Sequence, residues 1–97
     1  VKLRIFPDEN GRMNKSVKDV GGKLLLVPQF TLYGKTKKNR PSFHKALNPD
    51  DATKLFDYFT QKCSEDIEVE TGVFGAYMKV DLLNDGPVTI LLEKEFD

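Results

Sequence analysis

Two short segments hold most of the residues that could do chemistry in this 97-residue chain, Pro28-Gln29-Phe30-Thr31-Leu32-Tyr33-Gly34 and Asn84-Asp85-Gly86-Pro87-Val88-Thr89. Each sets turn residues or backbone-exposing residues beside strand-like sequence, where packing alone favours apolar alternation. With one His, one Cys and no Trp, a catalytic reading rests on backbone groups, hydroxyls and amides rather than on a charged triad. Thr31 offers a hydroxyl, but a threonine nucleophile needs an adjacent base and none lies near it in sequence. Gly86-Pro87 is an X-Pro bond, which adopts cis at modest cost. A cis bond there would aim neighbouring carbonyls in nearly the same direction, an acceptor pair suited to an ammonium group. From spacing alone, a plain trans turn is the default.

The remaining candidates read more simply. His44 follows Phe43 in a basic stretch and is expected to be an exposed or phosphate-facing imidazole rather than a general base. Cys63 falls in a helical pattern and reads as a small buried residue. A lone cysteine excludes an internal disulfide, so a reducing, cytoplasmic compartment is expected. Glu68, Glu70, Glu93, Glu95 and Asp97 read as solvated faces. No carboxylate cluster or His/Cys spacing resembles a metal site, and Asp8-Glu9-Asn10 lacks the rest of a calcium loop. Neither metal nor cofactor is expected.

The net charge of zero hides a split. Residues 1–45 hold eleven Lys and Arg against three acids, and residues 46–97 hold four against twelve. Lys35, Lys37, Lys38, Arg40 and Lys45 lie in a stretch without acids from Gly34 to Pro49. Such asymmetry marks either a polyanion-facing surface or a solvated loop that keeps the protein soluble. No apolar run approaches the roughly 20 residues of a membrane span, and no signal peptide opens the chain.

Positioning these residues requires a small α+β fold. An apolar content of 39% with ten Phe and Tyr supports one globular domain over residues 1–97. Residues 3–6 read as the end of a strand, closed by Pro7 and a turn through Gly11. A second turn at Gly21-Gly22 precedes residues 23–27, whose continuous apolar run predicts a strand covered on both faces. Pro28 interrupts it, because proline cannot donate a ladder hydrogen bond. Residues 29–33 resume β-type composition, and Gly34 opens a basic loop. Asn48 as N-cap, Pro49 at the first helical position and Asp50-Asp51 in the first turn predict one clear helix. Its apolar stripe is Ala52, Leu55, Phe56, Phe59 and Cys63. Strands are then expected at residues 67–70, 76–82 and 88–92, with a turn at Asn84-Asp85-Gly86. The order β-β-α-β-β-β gives an antiparallel-rich or mixed sheet, or a barrel-like one, with one main helix.

The two segments resemble the paired signatures of the D-aminoacyl-tRNA deacylase family, also called D-tyrosyl-tRNA deacylases. There a Ser-Gln-Phe-Thr-Leu segment and an Asn-X-Gly-Pro-Val-Thr segment occur in this order, separated by a helix. Leu3-Arg4-Ile5-Phe6, Lys18-Asp19-Val20-Gly21-Gly22, Arg40-Pro41-Ser42-Phe43 and Gly72-Val73-Phe74-Gly75-Ala76-Tyr77-Met78 are similar to family sequence as well, so the resemblance spans nearly the whole chain. Two departures stand out. The family's portion before the strand matching residues 3–6 has no counterpart here. Together with Val1 in place of Met, this leads to the expectation of a missing N-terminal piece, without which apolar sheet edges lie open. Pro28 stands where the family usually has Ser, as in an animal-type branch that carries Pro-Gln.

The resemblance implies a homodimer that hydrolyses the ester joining a D-amino acid to the 3′ end of tRNA, with the active site at the subunit interface. It implies that Gly86 and Pro87, in cis, reach into the partner's pocket as a chiral gate shaped by Asn84, Val88 and Thr89. Gln29, Phe30 and Thr31 form the catalytic segment, and Phe74 and Met78 join the substrate-binding set. In the family Thr31 is discussed as a nucleophile, while another view assigns assistance to the tRNA's own 2′-hydroxyl. Physical reasoning favours the latter, with backbone N–H groups around Gln29 and Phe30 stabilising the oxyanion. Lys35, Lys37, Lys38 and Arg40 would meet tRNA phosphates. The alternatives are a non-catalytic nucleic-acid-binding module using the basic loop 35–45, and a purely structural β-rich dimer.

Overall fold

The computed structural model describes residues 1–94; Glu95 and Asp97, expected to lie on a solvated face, fall outside the described residues. Strand β1 (Phe6–Pro7) pairs antiparallel with β2 (Met13–Lys15). Strand β3 (Leu24–Leu26) pairs in parallel with β6 (Val69–Thr71), Leu24 opposite Val69 and Leu26 opposite Thr71. Between them the chain forms a 3₁₀ turn (Phe30–Tyr33), an antiparallel hairpin of β4 (Lys35–Lys37) and β5 (Arg40–Ser42), and helix α1 (Pro49–Ser64). A parallel pair needs a crossover, and α1 lies on that connection. Small antiparallel and parallel sheets with one main helix make this the expected α+β class.

Helix α1 begins where its sequence signals place it. Asn48 Oδ1 accepts from the Asp51 N–H at 3.0 Å, and Asn48 Nδ2 donates to Asp51 Oδ2 at 2.7 Å. Pro49 occupies the first turn, where its missing N–H costs nothing. Asp50 and Asp51 meet the positive end of the helix dipole and Lys62 the negative end. Beyond the last turn, the N–H groups of Asp66 and Ile67 both donate to the Cys63 carbonyl at 3.1 Å. Cys63 is buried, as its place in the stripe predicts.

The apolar faces are only partly covered within the described residues. Leu55 and Phe59, on the α1 stripe, are exposed. The accessible surface is 9060 Å², against about 5,600 Å² for a compact monomer of this mass. The radius of gyration is 16.2 Å, against about 12.5 Å for a compact domain of this length. No helix among the described residues is long and apolar enough to cross a membrane.

Four local expectations are corrected. β3 is not covered on both faces: Leu25 is 69% exposed, and among the described residues β3 pairs with β6 alone. Of residues 29–33, Gln29 is extended and Phe30–Tyr33 form a 3₁₀ turn instead of a strand, because Pro28 cannot extend the ladder and the Gly34 N–H closes onto the Thr31 carbonyl at 2.9 Å. The basic loop is a hairpin rather than irregular structure. Residues 76–82 and 88–92 keep their alternating pattern but form no strand. A strand exists only through a hydrogen-bonded neighbour, and no described element pairs with either stretch; Tyr77 and Leu83 are more than 90% exposed.

Two aspartates organise the N-terminal turns. Asp8 Oδ1 accepts from the N–H groups of Arg12 and Asn10, at 3.0 and 2.9 Å. Asp19 Oδ2 accepts from the Ser16 N–H at 2.9 Å, and the Asp19 N–H donates to Ser16 Oγ at 3.2 Å. These backbone donors, Arg12 foremost for Asp8 and Ser16 for Asp19, hold both carboxyls below the ordinary 3.8. Depressed carboxyls stabilise the fold above the unfolded value and lose that contribution as pH falls through the folded one. Acidification below about pH 3.8 should therefore loosen both turns, seen as loss of amide protection at Arg12 and Ser16 while α1 amides persist. Asn48→Ala should cost about 1 kcal/mol of stability in a urea melt; an unchanged midpoint would show that the cap contributes nothing.

Candidate active site

The first segment is shaped by its ends. Pro28 follows the ladder, Gln29 is extended (φ −148°, ψ 101°), and Phe30–Tyr33 coil into the 3₁₀ turn. The Gln29 side-chain amide donates to Thr31 Oγ1 through a short hydrogen bond. An amide N–H₂ has no lone pair to take a proton, so this contact orients the Thr31 hydroxyl without activating it. Gly34 is required where the turn ends: an added Cβ would stand 2.9 Å from both Phe43 Cε1 and the Thr31 carbonyl oxygen.

Phe30 binds three parts of the chain together. Its ring meets Phe43 edge-on, with centroids 5.3 Å apart and planes at 75°, and Phe74 at 6.4 Å. A cavity of about 750 Å³ lies beside it, and its lining includes Pro28, Gln29, Phe30 and Phe74 together with Leu55, Phe56 and Phe59 of α1. The cavity size suits a small ligand group. A second hollow of about 430 Å³ is bordered by Phe30, Phe43, Phe74 and the start of α1. Met78 also reaches this neighbourhood, since Met78 Cε and Pro28 Cδ both lie within 3.7 Å of a Cβ built on Gly72.

The second segment stands apart. Gly86-Pro87 is cis, where spacing alone pointed to trans and the resemblance to cis. An added Cβ on Gly86 would come within 2.9 Å of the Val88 backbone nitrogen. Asn84, Gly86, Pro87, Val88 and Thr89 are all exposed, and none of them lines the cavity beside Phe30. Within one chain, Gln29, Phe30 and Phe74 line the cavity, Thr31 is bonded to Gln29 and Met78 lies near Pro28, while none of Asn84, Gly86, Pro87, Val88 and Thr89 lines it.

The hairpin is the feature sequence reasoning passed over. Lys38 and Asn39 both have positive φ (53° and 60°), the backbone of a two-residue hairpin turn. Asn at such a position was the available signal. The register sets Lys37 opposite Arg40 and Lys35 opposite Ser42. Cations directly opposite repel. The ion pairs found are Lys15–Glu9, Lys23–Glu68 and Lys62–Glu65, so no described carboxylate offsets the hairpin charges. Ser42 Oγ lies 2.7 Å from His44 Nδ1, a second contact the sequence did not announce.

Comparison with known proteins bears on the whole chain. The family model described as D-Tyr-tRNA(Tyr) deacylase matches residues 1–93. A D-aminoacyl-tRNA deacylase of Clostridium perfringens is 57% identical over 97 residues, covering 98% of this chain and 65% of the relative. One of Clostridium novyi is 56% identical over 100 residues, covering 99% and 67%, and one of Nitratiruptor is 51% identical over 96, covering 98% and 65%. The chain thus spans about two thirds of the length of these relatives. Among solved structures, the c-Myc DNA Unwinding Element Binding Protein superposes with a TM-score of 0.84 at 41% identity, over 97% of this chain and 66% of that one. The fold, both signature segments and a match over residues 1–93 agree, and the chain belongs to the D-Tyr-tRNA(Tyr) deacylase family.

Proposed function

We propose that this chain carries the ester-hydrolysing site of a D-aminoacyl-tRNA deacylase, acting in the cytoplasm as a homodimer. The observation that carries this reading is the 51–57% identity, over nearly the whole chain, to proteins of that name. Gln29, Phe30 and Thr31 form the catalytic segment, and Phe74 and Met78 border the substrate. Gly86 and Pro87 act as the chiral gate, with Asn84, Val88 and Thr89 holding its shape. That the gate segment is exposed and away from the Phe30 cavity supports its use across a subunit interface. Lys35, Lys37, Lys38 and Arg40 meet the tRNA backbone, contacts that position without reading sequence.

The chemistry needs little from side chains, because an aminoacyl ester is already activated. No described backbone hydrogen bond engages the N–H groups of Gln29 or Phe30, which leaves them available to a developing oxyanion. One such donor is worth roughly 3–4 kcal/mol. Thr31 has an amide donor beside it, and no described hydrogen bond joins its hydroxyl to a base, so the attacking water is assisted by the tRNA's 2′-hydroxyl. A second reading, a nucleic-acid-binding module without catalysis, is favoured by the uncompensated hairpin and by the DNA-binding name of the structural neighbour.

Incubation with D-Tyr-tRNA and L-Tyr-tRNA tests both. Selective release of the D-amino acid supports the deacylase, and RNA retention without hydrolysis supports the module. Thr31→Ala should keep deacylation within about tenfold of the parent, the scale of one lost neutral hydrogen bond; abolition with fold and binding intact would make Thr31 the nucleophile. Gly86→Ala must displace the Val88 backbone. It should lower D-ester hydrolysis at least tenfold without moving the thermal melt, and parent-like activity would remove Gly86 from the site.

A further inference from the structure

The Ser42–His44 contact belongs to the same face of the hairpin as its cations. Residues directly opposite in an antiparallel pair share a face, as do residues two apart on a strand. The register of β4 and β5 therefore places Lys35, Lys37, Arg40 and Ser42 on one face, and Thr36 and Pro41 on the other. His44 is tied to that face through Ser42 Oγ, 2.7 Å from Nδ1.

A hydroxyl can donate to a neutral ring nitrogen or accept from a protonated one. The Ser42 contact is thus compatible with both charge states of the imidazole: when Ser42 Oγ donates to a neutral ring the hydrogen lies on Nε2, and in the protonated ring Nδ1 donates to Oγ while Nε2 keeps its hydrogen. Histidine is the side chain that gains charge between pH 8 and 5. The charged groups around it are Lys35 opposite Ser42, Arg40 and Lys37 beyond it, and the neighbouring Lys45. From the elements packed on Phe43, Phe30 and Phe74 bring no charge, and Asp50 borders the hollow at the start of α1.

We propose that His44, held by Ser42, is a proton-linked phosphate ligand at the end of the hairpin's cationic face, so that RNA binding by this chain strengthens as pH falls. This rests on the reading of the hairpin as a tRNA-backbone surface. It predicts that a phosphodiester oxygen accepts from Nε2, with Lys35, Lys37 and Arg40 taking adjacent phosphates. Ser42 is a positioning residue, and His44 has no part in ester cleavage.

The test is calorimetric binding of uncharged tRNA to the 97-residue chain, in buffers of different ionisation enthalpy, from about pH 5.5 to pH 8. Binding near pH 6.5 should take up a proton, and affinity should rise up to about tenfold toward the acid end. His44→Gln should abolish both effects. Lys37→Gln should lower the salt slope by about one while keeping proton uptake. Absence of proton uptake by the parent chain, or its persistence in His44→Gln, would overturn the proposal. Uncharged tRNA carries no aminoacyl ester, so failure to hydrolyse D-Tyr-tRNA would leave this result standing. Conversely, a working deacylase with pH-independent tRNA binding would sink this inference alone.

Discussion

The β3–β6 ladder closes where the Leu26 carbonyl accepts from the Gly72 N–H at 2.8 Å, and two residues later the chain meets Pro28, which has no N–H to offer. Everything around the candidate site follows from that interruption. The chain cannot continue along β6, so it turns, and Phe30–Tyr33 coil into a single 3₁₀ turn. Gln29 and Thr31 are thereby brought into side-chain contact, and Phe30 is delivered to Phe43 and Phe74. Gly34 then allows the chain to pass against Phe43 and enter the hairpin. A residue able to extend the ladder would have carried Phe30 along the sheet instead of beside the cavity.

The chemistry of the site is consistent with this backbone-centred construction. Thr31 sits against an amide donor, and the hydroxyl with a ring nitrogen at hydrogen-bond distance is Ser42, on the cationic hairpin. The arrangement separates two jobs. The 3₁₀ segment offers backbone groups and an apolar wall, and the hairpin offers charge that no described carboxylate neutralises. Under the function proposed, an activated ester on a polyanionic carrier would use that division, since the carrier supplies binding energy and the ester needs only orientation and oxyanion stabilisation.

Helix α1 shows how much can be legible locally. Asn48, Pro49, Asp50 and Asp51 each act through neighbours within one turn, so cap, first turn and dipole charges are found where the sequence indicates them. The stripe periodicity also correctly buries Cys63. Exposure of Leu55 and Phe59 was not legible, because a stripe announces an apolar face without saying what covers it. The same limit explains residues 76–82 and 88–92, whose alternation is plain and which pair with no described element.

By itself the sequence determined the helix and its cap, the break at Pro28, the charge division, the two signature segments and the family. These depend on residue types and near neighbours, or on order along the chain. Only the tertiary structure decided that Phe30–Tyr33 coil rather than extend, that the basic stretch is a hairpin with Lys37 facing Arg40, and that Ser42 holds His44. It also decided that Phe30, Phe43 and Phe74 meet while Gly86-Pro87 stays apart. Register and long-range ring contacts arise from how elements find one another in space, and composition and periodicity leave that undetermined.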